Sequence, residues 1–205
     1  MAGLFVTFEG IDRSGKTTQA RMLVEALGDE ALAVREPGGT EVGERLRDLL
    51  KDPSVSIAPE TEALLFAAAR AELVAQVIRP ALEMGKVVVS DRFLDSSLAY
   101  QGIARGLGVE DVEQINRFAT GGLLPDLTIL LSIAPARAAE RAGQLDRFED
   151  EGDSLQNAVF EAYSELAAND AARWRVVDAD RSAADVHADV VGAVQRARSA
   201  AGASA

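Results

Sequence analysis

Short apolar runs alternate along the chain with longer segments whose apolar residues recur every three or four positions, as expected of stacked βα units. Leu4–Glu9 reads as a buried strand, followed by a glycine-rich turn and a helix from Lys16 to Leu27. Ala31–Arg35 is a weaker strand, and Glu41–Leu50 is helical by its spacing of Val42, Leu46, Leu49 and Leu50. A long helix is expected from Pro59 to Met84, with Gly85 as its stop and Pro80 as a point of kinking or division. Val87–Asp91 is a short apolar strand ending in an acid. Val109–Ala119 follows as a helix, Leu127–Ile133 as a strand and Pro135–Ala142 as a helix. Residues 143–153 are polar and charged and read as a mobile loop. Ser154–Ala168 is a helix, Trp174–Val177 a strand and Ser182–Arg198 the last helix. The pattern predicts an α/β chain in which a five-stranded parallel sheet carries helices on both faces. Residues 1–198 read as a single domain, with a tail, 199–205, expected to fray.

The turn after the first strand carries specific chemistry. Gly10-Ile11-Asp12-Arg13-Ser14-Gly15-Lys16-Thr17, continued by Thr18, matches the phosphate-binding pattern G-x-x-x-x-G-K-[ST] at every fixed position. Glycines let the backbone curl until successive N–H groups point inward, and the following helix offers its unpaired N-terminal N–H groups to the same anion. Lys16, expected to be exposed at the loop, can reach the outer phosphates of ATP, and the Thr17 hydroxyl can ligate Mg²⁺. None of the three lysines stands in an N-K-x-D segment, which argues against a guanine-reading switch.

Composition narrows the partners. The net charge is −12, from 33 acidic and 21 basic side chains, so a polynucleotide is not an expected partner. A hydrophobic fraction of 48% is ample for a core, and the 5% aromatic content makes that core aliphatic. The chain has no cysteine, which excludes a disulfide framework or thiolate metal site and fits a reducing cytosol. No apolar stretch approaches the ~18 residues of a membrane span, so a soluble cytoplasmic protein is expected. His187 and Trp174 read as structural.

The remaining cations gather where a second phosphate belongs. Arg35-Glu36-Pro37-Gly38-Gly39-Thr40 ends the second strand, Arg45 and Arg47 follow, Arg70 lies on the next helix, and Asp91-Arg92 ends the third strand. In a parallel sheet these strand ends share one edge with the phosphate loop. That arrangement favours a kinase acting on a small phosphorylated acceptor over a transport or partitioning ATPase.

With these residues in hand, the chain resembles bacterial thymidylate kinases along nearly its whole length. The resemblance rests on Phe5–Gly10, Arg35–Thr40, Leu64–Arg70, Asp91–Gly102, Pro125–Thr128 and Asp146–Glu149. It implies a P-loop kinase fold with a mobile lid near 143–153, and transfer of the γ-phosphoryl of ATP to dTMP with Mg²⁺. By this resemblance Phe66 stacks on the base and Arg70 hydrogen-bonds its oxygen edge. Ser97 and Gln101, which on their own would read as exposed helix residues, read the base further. Tyr100 lies beside C2′ of the sugar and Asp12 near its 3′-hydroxyl. Arg92, with Arg47, holds the monophosphate. Asp91 orients Mg²⁺ through water alongside Thr17, and the catalytic group becomes Arg13, Lys16, Asp91, Arg92 and a lid cation, Arg147 or Arg141. The adenine falls to the lid and the loop Asp178-Ala179-Asp180, and a homodimer is implied. Two alternatives stay open from the sequence: a kinase for another nucleoside monophosphate such as dUMP or dGMP, and an ATP-binding regulator without turnover.

Overall fold

The computed structural model describes residues 3–141 and 153–203. The strands are β1 (Leu4–Glu9), β2 (Ala31–Arg35), β3 (Val87–Asp91), β4 (Leu127–Ser132) and β5 (Trp174–Asp178). They form one five-stranded sheet in the order β2-β3-β1-β4-β5, parallel throughout. Every strand therefore ends on the same edge. The register places Phe8 opposite Asp91 and Arg35 opposite Asp91, so the segments leaving β1, β2 and β3 emerge side by side.

Alternation along the strands sorts the core. Leu4, Val6 and Phe8 of β1 join Val87 and Val89 on one face of the sheet, while Phe5 joins Val88 and Phe93 on the other. The period of two therefore sends Glu9 out on the Phe5 side, towards Phe93. Helices α1 (Lys16–Leu27), α8 (Asp153–Asn169) and α9 (Ala183–Ala203) contribute to the first cluster. Helices α3 (Pro59–Leu73), α4 (Arg79–Glu83), α5 (Leu94–Ser97) and α6 (Val109–Thr120) contribute to the second. The remaining helices are α2 (Glu41–Lys51), opened by Thr40, whose hydroxyl accepts from the Gly43 N–H, and α7 (Pro135–Ala139).

Three departures from the pattern reading have physical causes. The helix expected from Pro59 to Met84 is broken into α3, a π-helical turn at Val74–Ile78, and α4. Pro80 lacks the N–H that would reach the carbonyl of Gln76, and the wider turn lies over that carbonyl. The segment after β3 is wound as α5 and a second π-helical stretch, Leu98–Ala104, which buries Ser97 and Gln101 instead of exposing them. The C-terminal helix continues to Ala203, through most of the tail expected to fray. The lid expected near 143–153 lies outside the described residues, apart from Asp153 at the start of α8, and Arg147 lies there too. Among the described residues no helix is long and apolar enough to cross a membrane.

Candidate active site

The loop between β1 and α1 has the backbone its sequence requires. Gly10 has φ +138°, and a Cβ there would stand 2.7 Å from the Leu131 carbonyl oxygen, so only glycine fits. Arg13 is left-handed at φ +60°, and Gly15 caps α1 in the same region. Lys16 is not exposed as expected. It is 6% accessible, and its Nζ donates to the carbonyls of Gly10 (3.0 Å) and Ile11 (2.7 Å). Burial first, and then the neighbouring Arg92 charge, push its ammonium down to about 8, against Asp12, Asp91 and Glu9. Thr17 is exposed, and its hydroxyl donates to Asp91 Oδ2 at 2.5 Å.

Two cavities meet at this loop. One, of about 470 Å³, is lined by Asp12, Arg35, Glu36, Arg47, Phe66, Asp91, Arg92, Ser97, Tyr100 and Gln101. The other, of about 480 Å³, runs along Ser14, Gly15, Thr18 and Gln19 to Arg141, Ala179 and Arg181. Arg13, Lys16 and Thr17 line both. A phosphate chain lying on the loop from the second cavity therefore points its end into the first.

Arg92 lies in the wall of the first cavity. Its backbone is left-handed at φ +70°, which turns the side chain back across β1. One terminal nitrogen donates to Gly10 O (3.3 Å), Ser96 Oγ (3.1 Å) and Tyr163 Oη (3.2 Å). The other donates to Asp12 Oδ1 (2.5 Å) and Tyr100 Oη (3.4 Å), and the guanidinium lies 5.2 Å from the centre of the Tyr100 ring. Burial opposes ionisation of Asp12, yet Arg92 and Lys16 hold it below the usual carboxylate range.

Behind Arg92 stands Glu9, which is fully buried. It accepts from the Phe93 N–H (2.8 Å), Ser96 Oγ (2.6 Å) and Tyr163 Oη (2.8 Å). The two hydroxyls thus take Arg92 N–H groups on one side and donate to Glu9 on the other, a polarised chain ending in a carboxylate. Burial, reinforced by Asp95, raises Glu9 to about 7.

The deciding observation lies in the whole chain. Residues 8–190 match the family model described as thymidylate kinase. The chain belongs to the thymidylate kinase family. It is similar to the thymidylate kinase of Thermoanaerobacter sp. (strain X514), 46% identical over 201 residues that cover 96% of this chain and 99% of the relative. It is 50% identical over 193 residues to that of Symbiobacterium thermophilum, covering 91% and 90% of the two chains. The crystal structure of thymidylate kinase from Ehrlichia chaffeensis superposes with a TM-score of 0.80 at 30% identity, covering 95% of this chain and all of that one.

Set against the thymidylate kinase reading of the sequence, most of the expected residues converge. Asp12, Arg13, Lys16, Thr17, Arg47, Phe66, Asp91, Arg92, Ser97, Tyr100 and Gln101 line the first cavity. Arg70 does not line it. This arginine is 1% accessible and lies behind the wall. Its Nε donates to Glu36 (2.8 Å), and its terminal nitrogens donate to Glu36, Phe93 O (3.2 Å), Ser97 Oγ (3.2 Å) and Asn116 Oδ1. Those partners occupy all five N–H groups of a guanidinium, so direct contact with a base is not available to Arg70 as it stands. Arg141 is also occupied: it donates to the carbonyls of Arg13 (3.2 Å), Ser14 (3.1 Å) and Ala179. It ties the loop after β5 to the phosphate loop.

The sequence assigned no role to Glu9, Glu62, Gln156 or Tyr163, nor to Lys51, which joins Arg35 in the lining of the first cavity. The signal for Glu9 was present, since an acid closing an otherwise apolar strand just before a phosphate loop calls for a partner. Nothing local marks Tyr163 or Gln156 on α8, whose partners lie 71 and 144 residues away.

Proposed function

We propose that the chain transfers the γ-phosphoryl group of ATP to dTMP, giving dTDP and ADP. The observation that carries this reading is the pair of cavities joined at Arg13, Lys16 and Thr17. One has a phosphate-loop floor, and the other is lined by the cations Arg92, Arg35 and Arg47 and by the Phe66 ring.

In this reading the donor phosphates replace the Gly10 and Ile11 carbonyls as partners of Lys16 Nζ, and the loop N–H groups take the remaining oxygens. Arg92 and Arg47 hold the acceptor phosphate in line. Arg13, lining both cavities, adds charge where the phosphoryl group passes. The acceptor oxygen is already anionic near neutral pH, so a strong base is not required. Thr17 and Asp91 are the residues that would hold Mg²⁺. Their adjacent oxygens suit a hard cation that keeps most of its water and takes further ligands from phosphate. Bound there, the ion would neutralise phosphate charge. Tyr100, buried against Arg92, brings its ring to the sugar side, where bulk disfavours a 2′-hydroxyl.

We also read the chain as a homodimer. Val42 and Leu49 on α2, Leu64 on α3 and Phe118 on α6 are exposed apolar side chains, and Phe118 is 91% accessible. A second copy packed on these helices would take such side chains out of water, and sedimentation at micromolar concentration checks this.

Lys16→Ala tests the central assignment. The variant is expected to bind dTMP near the wild-type affinity while ADP release on dTMP addition falls by at least about a hundredfold. Turnover near wild type in a folded variant would remove Lys16, and this reading of the loop, from the mechanism.

A further inference from the structure

Glu62 is a buried carboxylate that phosphoryl transfer does not use. It lies on α3, is 1% accessible, and faces the π-helical stretch that carries Gln101. Gln101 Nε2 donates to Glu62 Oε1 at 2.8 Å, and Arg105 donates to both oxygens of the same carboxylate, at 3.3 and 3.4 Å. A carboxylate only accepts hydrogen bonds. The amide of Gln101 therefore has one permitted orientation, with its NH₂ end on Glu62 and Oε1 on the opposite side. Gln101 lines the first cavity, and its Oε1 has no hydrogen-bond partner among the described residues, nor is that atom sealed from solvent. An acceptor thus faces the cavity.

Ser97, one turn earlier, presents the complement. Its Oγ accepts from Arg70 at 3.2 Å, which leaves the hydroxyl hydrogen to be donated into the cavity that Ser97 also lines. A fixed acceptor beside a fixed donor matches a base edge with a ring N–H next to a carbonyl, as in thymine and uracil. Cytosine offers the reverse at both positions, a bare ring nitrogen and an amino group. Presented with it, Gln101 Oε1 would face a lone pair.

We propose that Glu62 is a positioning residue for base selection, fixing the Gln101 amide so that its oxygen reads the ring N–H of a pyrimidine lactam. The inference rests on the dTMP kinase reading and adds to it the source of the discrimination. Arg105 belongs to the device by neutralising the carboxylate that does the orienting.

The test is Glu62→Gln, which keeps size and shape but lets residue 62 donate or accept, so that Gln101 is free to turn over. Steady-state ADP release with dTMP and with dCMP is measured for the wild type, Glu62→Gln, Glu62→Asp and Gln101→Leu. Glu62→Gln is expected to raise the KM for dTMP about tenfold, to leave the KM for ATP within twofold, and to raise the dCMP-to-dTMP ratio of kcat/KM at least tenfold. Glu62→Asp, which can only accept, should restore most of that ratio. Should Glu62→Gln melt too early to assay, Gln101→Leu carries the same test, because deleting the reader must also erode the preference for dTMP over dCMP. An unchanged ratio in folded Glu62→Gln, or in Gln101→Leu, overturns the orienting role. A wild-type protein that does not phosphorylate dTMP would instead sink the activity itself.

Discussion

Arg70 is where residue type and residue position pull apart most clearly. The family resemblance implies a base reader, whereas the hydrogen bonds of Arg70 in the structure tie α3 to the Glu36 loop and α6. The Glu36 carboxyl is raised by its burial, against the charge and hydrogen bonds of Arg70, so the pair holds together only while both members are present. Arg70→Ala strands that carboxyl in the interior and is expected to cost about 3–5 kcal/mol of stability. Urea denaturation checks this, and a variant as stable as wild type would return Arg70 to a binding role. Glu9 offers a test through pH. Its carboxyl is raised to about 7 from an ordinary 4.5, chiefly by burial. The native state thus binds a proton that the unfolded chain gives up, and stability from this group is lost as pH rises from about 4.5 through 7. Between pH 5.5 and 8 the wild type should lose ground to Glu9→Gln by about 2 kcal/mol. A constant difference across that range would show Glu9 ionised throughout.

At the level of elements, most of the chain was legible. The bounds expected for β1, α1, β2 and β3 coincide with those observed, because apolar runs bounded by turn residues leave little choice of boundary. The phosphate loop was equally plain, since its geometry depends on residues contiguous in sequence. What could not be read locally is what tertiary contact decides. The π-helical winding of Leu98–Ala104 is not encoded by any period, yet it turns Gln101 inward. Asp95 on α5 illustrates the same limit: it pairs with Arg173 at the foot of β5 (2.5 Å) and so pins the segment bearing Ser96 and Ser97 to the far side of the sheet. Helix α8 reaches the site in two places, with Gln156 on Asp12 (3.0 Å) and Tyr163 on both Arg92 and Glu9. The Tyr163 hydroxyl should therefore matter to the acceptor side and not to the donor side. Tyr163→Phe removes one neutral hydrogen-bonding group, worth ~0.5–1.5 kcal/mol. It is expected to raise the KM for dTMP about two- to tenfold with the KM for ATP unchanged. Equal changes in both would mean that α8 acts through general stability instead.

Over the whole molecule, charge is sorted rather than scarce. The chain carries a net −12, yet Arg13, Lys16, Arg35, Arg47, Lys51 and Arg92 all line one cavity. A cationic cleft in an acidic body focuses the field on small phosphorylated ligands while repelling long phosphate backbones. The parallel sheet makes this possible by delivering the ends of β1, β2 and β3 to one edge. The identity of the acceptor at that edge decides what the cleft does. The most direct measurement is ADP release by the full chain with ATP and Mg²⁺, run in parallel with dTMP, dUMP, dCMP, dGMP and no acceptor, with the product identified by phosphorus NMR. The expected result is dTDP as the product, the highest kcat/KM for dTMP, and little ADP release without an acceptor. ADP release indifferent to the monophosphate, or a higher kcat/KM for dCMP or dGMP than for dTMP, would contradict it.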